Sequence, residues 1–224
     1  MLPFPYKKVE DAERYFFFGL RGTIMAEKIV VLNHVNKHYG GVHALKDVNF
    51  DLIRGEVHCL IGQNGCGKST MIKTISGIVA PDAGSEVILQ GKKLTGASPK
   101  TAMDCGIRVI YQDLSLFPNL TVAENIAFDR HTDKTIRGVS WKEINARARQ
   151  ILDTMKISLR CDALVEELSI ADRQLVAIAR ALATNAQLII MDEPTSSLTR
   201  REVNVMFSII RELREKGITI LFVS

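Results

Sequence analysis

Two periodicities divide the chain. Short apolar runs read as strands: Ile29–Leu32, Val48–Leu52 with alternating polar positions, Glu56–Ile61, Glu86–Leu89, Ile107–Tyr111, the continuous run Gln187–Met191, and Ile218–Val223. Unbroken apolar character over Gln187–Met191 marks a central strand of a parallel sheet, buried on both faces. Between the strands lie segments of helical period. Met71–Val79 is one, and a short helix runs from Pro99 to Gly106. Thr121 and Glu124 form a capping box, as do Ser140 and Glu143. Over 140–157, Trp141, Ile144, Ala148, Ile151, Leu152 and Met155 fall on one helical face. Ser169 opens another helix, with Leu175, Ile178, Ala179 and Leu182 on one side, and a long amphipathic helix runs from Arg200 to Lys216, closed by Gly217. The pattern is a β-rich opening, then strand–helix alternation, with residues 114–180 forming a mostly helical insertion: an α/β protein.

Composition narrows the class without naming a function. The 224 residues suffice for one large domain with a sub-domain. A net charge of +4, dispersed along the chain, is too weak to argue for nucleic acid. Cys59, Cys66, Cys105 and Cys161 show no C-x-x-C pair and no metal spacing with histidine, so they read as reduced thiols. No apolar run approaches bilayer length, so membrane association would go through a partner. Residues 1–25 differ from the rest: Phe16-Phe17-Phe18 is a short apolar patch among charges, too short for the apolar region of a signal peptide. The natural start is expected at Met25, with the upstream segment an extension; the alternative is an N-terminal docking arm.

Chemistry concentrates at Gly62-Gln63-Asn64-Gly65-Cys66-Gly67-Lys68-Ser69-Thr70, between a strand and a helix. The spacing G-x-x-x-x-G-K-[ST] in that context is a phosphate-binding loop. Glycines let successive backbone N–H groups turn inward on an anion, and the helix adds the positive end of its dipole. Lys68 supplies a cation for the β- and γ-phosphates, and Ser69 a hydroxyl for Mg²⁺. The plainer reading is a glycine-rich turn closing a strand–helix unit. A second feature weighs against it: the buried-type strand before Asp192-Glu193 ends on two carboxylates. At that end of an α/β sheet, where ligands sit, Asp192 is placed to hold Mg²⁺ through water and Glu193 to orient or deprotonate an attacking water. Tyr39, in the turn-rich stretch His38–Val42, offers a ring for stacking on a nucleobase, although a loop tyrosine is more often a partly buried anchor.

Gly62 to Thr70, Gln112, Leu168 to Gln174, Met191 to Ser196 and Phe222-Val223-Ser224 stand in the order of the ATP-binding cassette (ABC) transporter ATPases, which residues 26–224 resemble. The resemblance implies a P-loop NTPase (RecA-like) core with a mainly parallel sheet, an antiparallel β subdomain and an inserted α-helical subdomain. It further implies that Tyr39 stacks on adenine and that Gly62 to Ser69, with Thr70, cradle the phosphates of ATP. Gln112 would sense Mg²⁺ and the γ-phosphate, Asp192 would support Mg²⁺, and Glu193 would be the catalytic base. Ser169 would cap the γ-phosphate of a second cassette, in the same fused chain or a homodimer, across a head-to-tail interface that Ser197 and Leu198 also cross.

Leu168-Ser169-Ile170-Ala171-Asp172 departs from the usual Leu-Ser-Gly-Gly-Gln, and with Leu116–Asn125 it is similar to the N-terminal cassette of monosaccharide import ATPases. The partners implied are transmembrane permease subunits and, indirectly, a solute-binding protein, at the cytoplasmic face of the inner (plasma) membrane; no nucleic acid is expected. A switch histidine is expected after the last strand and the sequence ends at Ser224, so the chain is expected to be part of a longer fused protein that binds MgATP but hydrolyses it poorly alone. Two other readings compete: a cassette for another solute such as amino acids or lipids, and a soluble cassette protein of DNA repair or translation, against which stands the lack of a long insertion between Asp113 and Leu168.

Overall fold

A computed structural model describes residues 16–19, 27–131 and 140–224. These form two compact units. The first contains the residues up to Val109 together with Gln187–Asp192 and Arg214–Ser224; the second contains Ile110–Ala186 and Glu193–Leu213.

The first unit is built on two sheets. β1 (Phe16–Gly19), β4 (Val57–Ile61), β7 (Ile107–Ile110), β8 (Leu188–Asp192) and β9 (Thr219–Val223) form a five-stranded sheet in the order β1-β4-β9-β8-β7. β4 and β9, and β9 and β8, pair in parallel, and β1 runs antiparallel along β4. Leu188 to Met191 are wholly buried, as the continuous apolar run demands. Gly106, at φ 70, precedes β7; a Cβ there would lie 2.7 Å from the Gln187 side chain, and its carbonyl accepts the Gln187 amide at 2.8 Å. Only glycine lets the two connections pass so closely.

The second sheet is antiparallel, ordered β3-β2-β5-β6, from β2 (Lys28–Tyr39), β3 (Val42–Ile53), β5 (Glu86–Leu89) and β6 (Lys92–Lys93). β2 and β3 are twelve residues each, far longer than Ile29–Leu32 and Val48–Leu52, and they meet in a hairpin at Gly40-Gly41. Tyr39 is therefore the last residue of a strand, paired with Val42, rather than part of a loop. α1 (Lys68–Ile75) follows β4, and α2 (Pro99–Asp104), capped by Ser98, follows β6.

The second unit is helical: α3 (Val122–His131), α4 (Trp141–Thr154), a 3₁₀ turn at Val165–Glu167, α5 (Ile170–Ala183) and most of α6 (Arg200–Glu215). The Thr121–Glu124 capping box forms in both directions: Thr121 N and Oγ1 donate to the Glu124 carboxylate at 2.7 and 2.6 Å, and Glu124 N donates to Thr121 Oγ1 at 3.2 Å. Asn125, fully buried, spends its amide on the preceding loop, donating to Phe117 O, Leu120 O and Thr121 O and accepting from Phe117 N. Buried polar groups stay buried only with such partners. On α4 the face proposed from periodicity is correct for Ile144, Ala148 and Leu152, with Met155 just beyond the helix also buried. It is wrong for Trp141, which is 59% exposed because it sits in the first turn, past the reach of the packed face. Of residues 1–25, only Phe16–Gly19 fall within the described set; the expected start at Met25 lies outside it.

Candidate functional site

In the first unit, Gly62–Gly67 join β4 to α1. Gly65 (φ 81) and Gly67 (φ 102) are both left-handed, a conformation costing other residues about 1–2 kcal/mol. Gly67 is the N-cap of α1, no side chain caps the helix, and its first turn holds no acidic residue. The backbone amides of Lys68, Ser69 and Thr70 take no hydrogen-bond partner among the described residues. They keep both their donors and the positive end of the helix dipole for an anion. Lys68 is 8% exposed, and its ammonium donates to the Gly62 and Gln63 carbonyls. Ser69 is exposed beside it, and Cys66 is buried under the loop.

Asp192 closes β8. Through β9 it lies level with the start of the loop: Val223 pairs with Leu60 on one side and with Asp192 on the other. Two inter-strand spacings separate them, about 10 Å. Among the described residues no group of three or more His, Cys, Asp or Glu could hold a metal by itself.

Tyr39, 45% exposed, ends β2 with Lys37 Nζ 5.5 Å from its ring centroid. Beneath it, sequence reasoning missed a cluster. His38 and His43 stack across the hairpin with ring centroids 3.8 Å apart. His38 Nδ1 lies 2.7 Å from Asp82 Oδ2, and His43 Nε2 lies 3.0 Å from Asn36 Oδ1. The His38 hydrogen bonds hold the Asp82 carboxyl below its usual range. Burial, then the charges of His38 and Lys46, push His43 down. The signal was the spacing His38–His43 about a Gly-Gly turn.

The second unit carries the other expected residues. Gln112 is exposed in the turn after β7. That turn continues through Leu114 (φ 59) and Ser115 (φ 46), whose carbonyls accept from the Arg180 guanidinium on α5 at 3.1 and 2.7 Å. Ser169 caps α5 by accepting Asp172 N at 3.1 Å and donates its hydroxyl to the Asp172 carboxylate at 2.8 Å. The substituted Asp172 is thus the intrahelical partner of Ser169. Glu193 stands at φ 47, and its carbonyl accepts from Ser196 N and Oγ. A third capping box, Thr199 with Glu202, went unread although the T-x-x-E spacing is plain; Thr199 holds the Glu202 carboxyl below its usual range. The structure thus groups Gly62–Thr70 and Asp192 on one sheet edge of the first unit, and places Gln112, Ser169 and Glu193 in the second.

The family model described as ABC transporter matches residues 45–196. The chain belongs to that family. It is 43% identical over 196 residues to the ribose import ATP-binding protein RbsA 2 of Streptomyces avermitilis, covering 88% of this chain and 39% of that protein. It is 40% identical over 198 residues to the ribose import ATP-binding protein RbsA of Caldanaerobacter subterraneus subsp. tengcongensis, covering 88% of this chain and 40% of that one. The cassette thus spans about two fifths of the length of these relatives. Among solved structures it is similar to the ADP conformation of MJ1267, an ATP-binding cassette of an ABC transporter, with a TM-score of 0.76 and 31% identity over 88% of this chain and 81% of that one. It is also similar to the dimeric structure of MJ0796, a bacterial ABC transporter cassette, with a TM-score of 0.72 and 30% identity over 87% of each chain. The P-loop NTPase architecture expected from the motifs is the fold of these neighbours. Among the described residues no helix is long and apolar enough to cross a membrane.

Proposed function

We propose that this chain binds MgATP and that its hydrolysis powers an importer for a monosaccharide or related sugar. The observation that carries the reading is the loop at Gly62–Thr70: a buried ammonium, two left-handed glycines and three first-turn amides without partners, at the end of the strand that enters the loop. Such a cradle favours an anion with several oxygens, and a triphosphate supplies them. Ser69 and Asp192 would hold Mg²⁺, which would neutralise charge on the phosphates. Tyr39 stacks on the adenine. Glu193 takes the proton of an attacking water, Gln112 orients that water and senses the γ-phosphate, and Ser169 presents the N-terminus of α5 to the nucleotide of a second cassette. Catalysis is then mostly positioning and charge stabilisation.

Sugar import rests on the relatives' names and on the Leu168–Asp172 sequence. The same reading places a permease, a solute-binding protein and a second cassette as partners, with peripheral attachment at the cytoplasmic face of the inner membrane. On the same reading the cassette spans 26–224, with a helical subdomain over about 114–180. The test is equilibrium binding of a fluorescent ATP analogue with Mg²⁺. Lys68→Ala is expected to weaken binding at least a hundredfold, and unchanged binding would overturn the reading. Co-purification with a permease and uptake of ribose against amino acids would test the solute.

A further inference from the structure

Glu193 holds a left-handed backbone, φ 47, immediately before a proline. Residues before proline favour extended backbone, and a non-glycine residue at positive φ persists only where its surroundings hold it. Ser196 bonds the Glu193 carbonyl, at 3.3 Å through its amide and 3.1 Å through its hydroxyl. The next carbonyl, that of Pro194, has a different partner: the side-chain amide of Gln174, reaching from α5 across twenty positions of sequence. Gln174 is 7% exposed. Its Oε1 is buried with no partner among the described residues. The contact that the side chain makes is through its donor, on the Pro194 carbonyl. The bond also fixes which way the amide faces, because a flipped amide would set two acceptors together. Gln174 also borders a cavity of about 310 Å³ lined by Leu175, Val205 and Met206.

We infer that Gln174 is a positioning residue for Glu193: its amide, anchored on the Ser169-capped helix, holds the Pro194 carbonyl and so keeps Glu193 in its left-handed conformation. The inference rests on the proposal that Glu193 is the base, and its test separates the two. Gln174→Met keeps the length and lacks the donor, and the adjoining cavity accommodates the thioether. Two measurements on the 224-residue chain decide it. The first is a double-substitution cycle in thermal unfolding without nucleotide. Glycine adopts φ 47 freely, so Gln174→Met is expected to lower Tm in the native background and to lower it by less than half as much in the Glu193→Gly background. Equal losses in both backgrounds, or none in either, overturn the inference. The second is single-turnover ATP hydrolysis with the chain in excess. Gln174→Met is expected to slow the step at least tenfold with ATP affinity within twofold, whereas a wild-type rate beside a slow Glu193→Gln variant overturns it. If Glu193→Gln itself hydrolyses at the wild-type rate, the base assignment fails, and the thermal cycle still decides whether Gln174 holds the turn.

Discussion

A lysine only 8% exposed is costly to hold without partners for its ammonium, and in Lys68 the partners are the carbonyls of the loop it serves. The same residue stiffens the loop and gives it a charge, so its loss removes both effects. Gly67 acts on the backbone alone. At φ 102, Gly67→Ala is expected to cost about 1–2 kcal/mol of stability and to weaken MgATP binding, because an alanine returns the chain to negative φ and turns the first amides of α1 outward. Chemical denaturation with a parallel nucleotide titration checks it; full stability and full affinity would show that the left-handed turn is not required. Asp192 should behave differently. Level with the loop across β9 but not part of it, Asp192→Asn is expected to leave ATP binding without metal unchanged and to raise the Mg²⁺ concentration needed for half-maximal tight binding, by about tenfold for one charged contact of about 1.4 kcal/mol. A Mg²⁺ titration of analogue fluorescence reads it directly.

At the scale of elements, the β2–β3 hairpin and α5 organise what the sequence left scattered. Stacked 3.8 Å apart, His38 and His43 cannot both charge cheaply, and burial together with the neighbouring charges of His38 and Lys46 holds His43 below the ordinary histidine value, against a smaller opposing pull from Asp82. A histidine whose folded pKa is depressed binds fewer protons than its unfolded counterpart. Stability of the hairpin therefore rises with pH through the window just below about 6.5 and is lost as pH falls through it. An NMR titration is expected to put the His43 midpoint below 6.5, and His38→Gln to move it up; an unmoved midpoint would leave the stack with no electrostatic role. α5 grips the turn after Gln112 through Arg180. Arg180→Met is expected to weaken the order of Leu114 and Ser115, both at positive φ, and to reduce hydrolysis more than nucleotide affinity. Steady-state kinetics with a binding isotherm separate the two.

The part of the candidate site that shows in the sequence is the part whose residues are contiguous. A phosphate loop needs its glycines, lysine and serine side by side, and Asp192-Glu193 announce themselves by ending an apolar run. The strands of the hairpin were read at less than half length because register shifts between Leu32 and Lys37 break the two-residue alternation. Gln174 with Pro194, and Arg180 with Ser115, were invisible because each pairs residues 20 or more positions apart through ordinary side-chain–carbonyl bonds that leave no spacing signature.

Across the whole molecule, the proposed site residues fall in both units: Lys68, Ser69 and Asp192 in one, Gln112, Ser169 and Glu193 in the other. The proposed roles of Lys68 and Glu193 differ, one holding the nucleotide and the other acting on water, so variants of each are expected to separate binding from turnover. A ligand that binds only the folded state at a hundred times its Kd stabilises by about 2.7 kcal/mol. For a domain of this size, that raises Tm by about 5–10 °C. Wild-type chain and Glu193→Gln are both expected to show that rise with MgATP, because the phosphate cradle is intact in each. Lys68→Ala is expected to show almost none at the same nucleotide concentration. Of the three, Glu193→Gln is expected to bind like the wild-type chain and to hydrolyse ATP more slowly than the already slow wild-type chain. A Glu193→Gln variant that lost the thermal shift would mean that Glu193 belongs to the nucleotide-binding surface, and its proposed role as the base alone would be wrong.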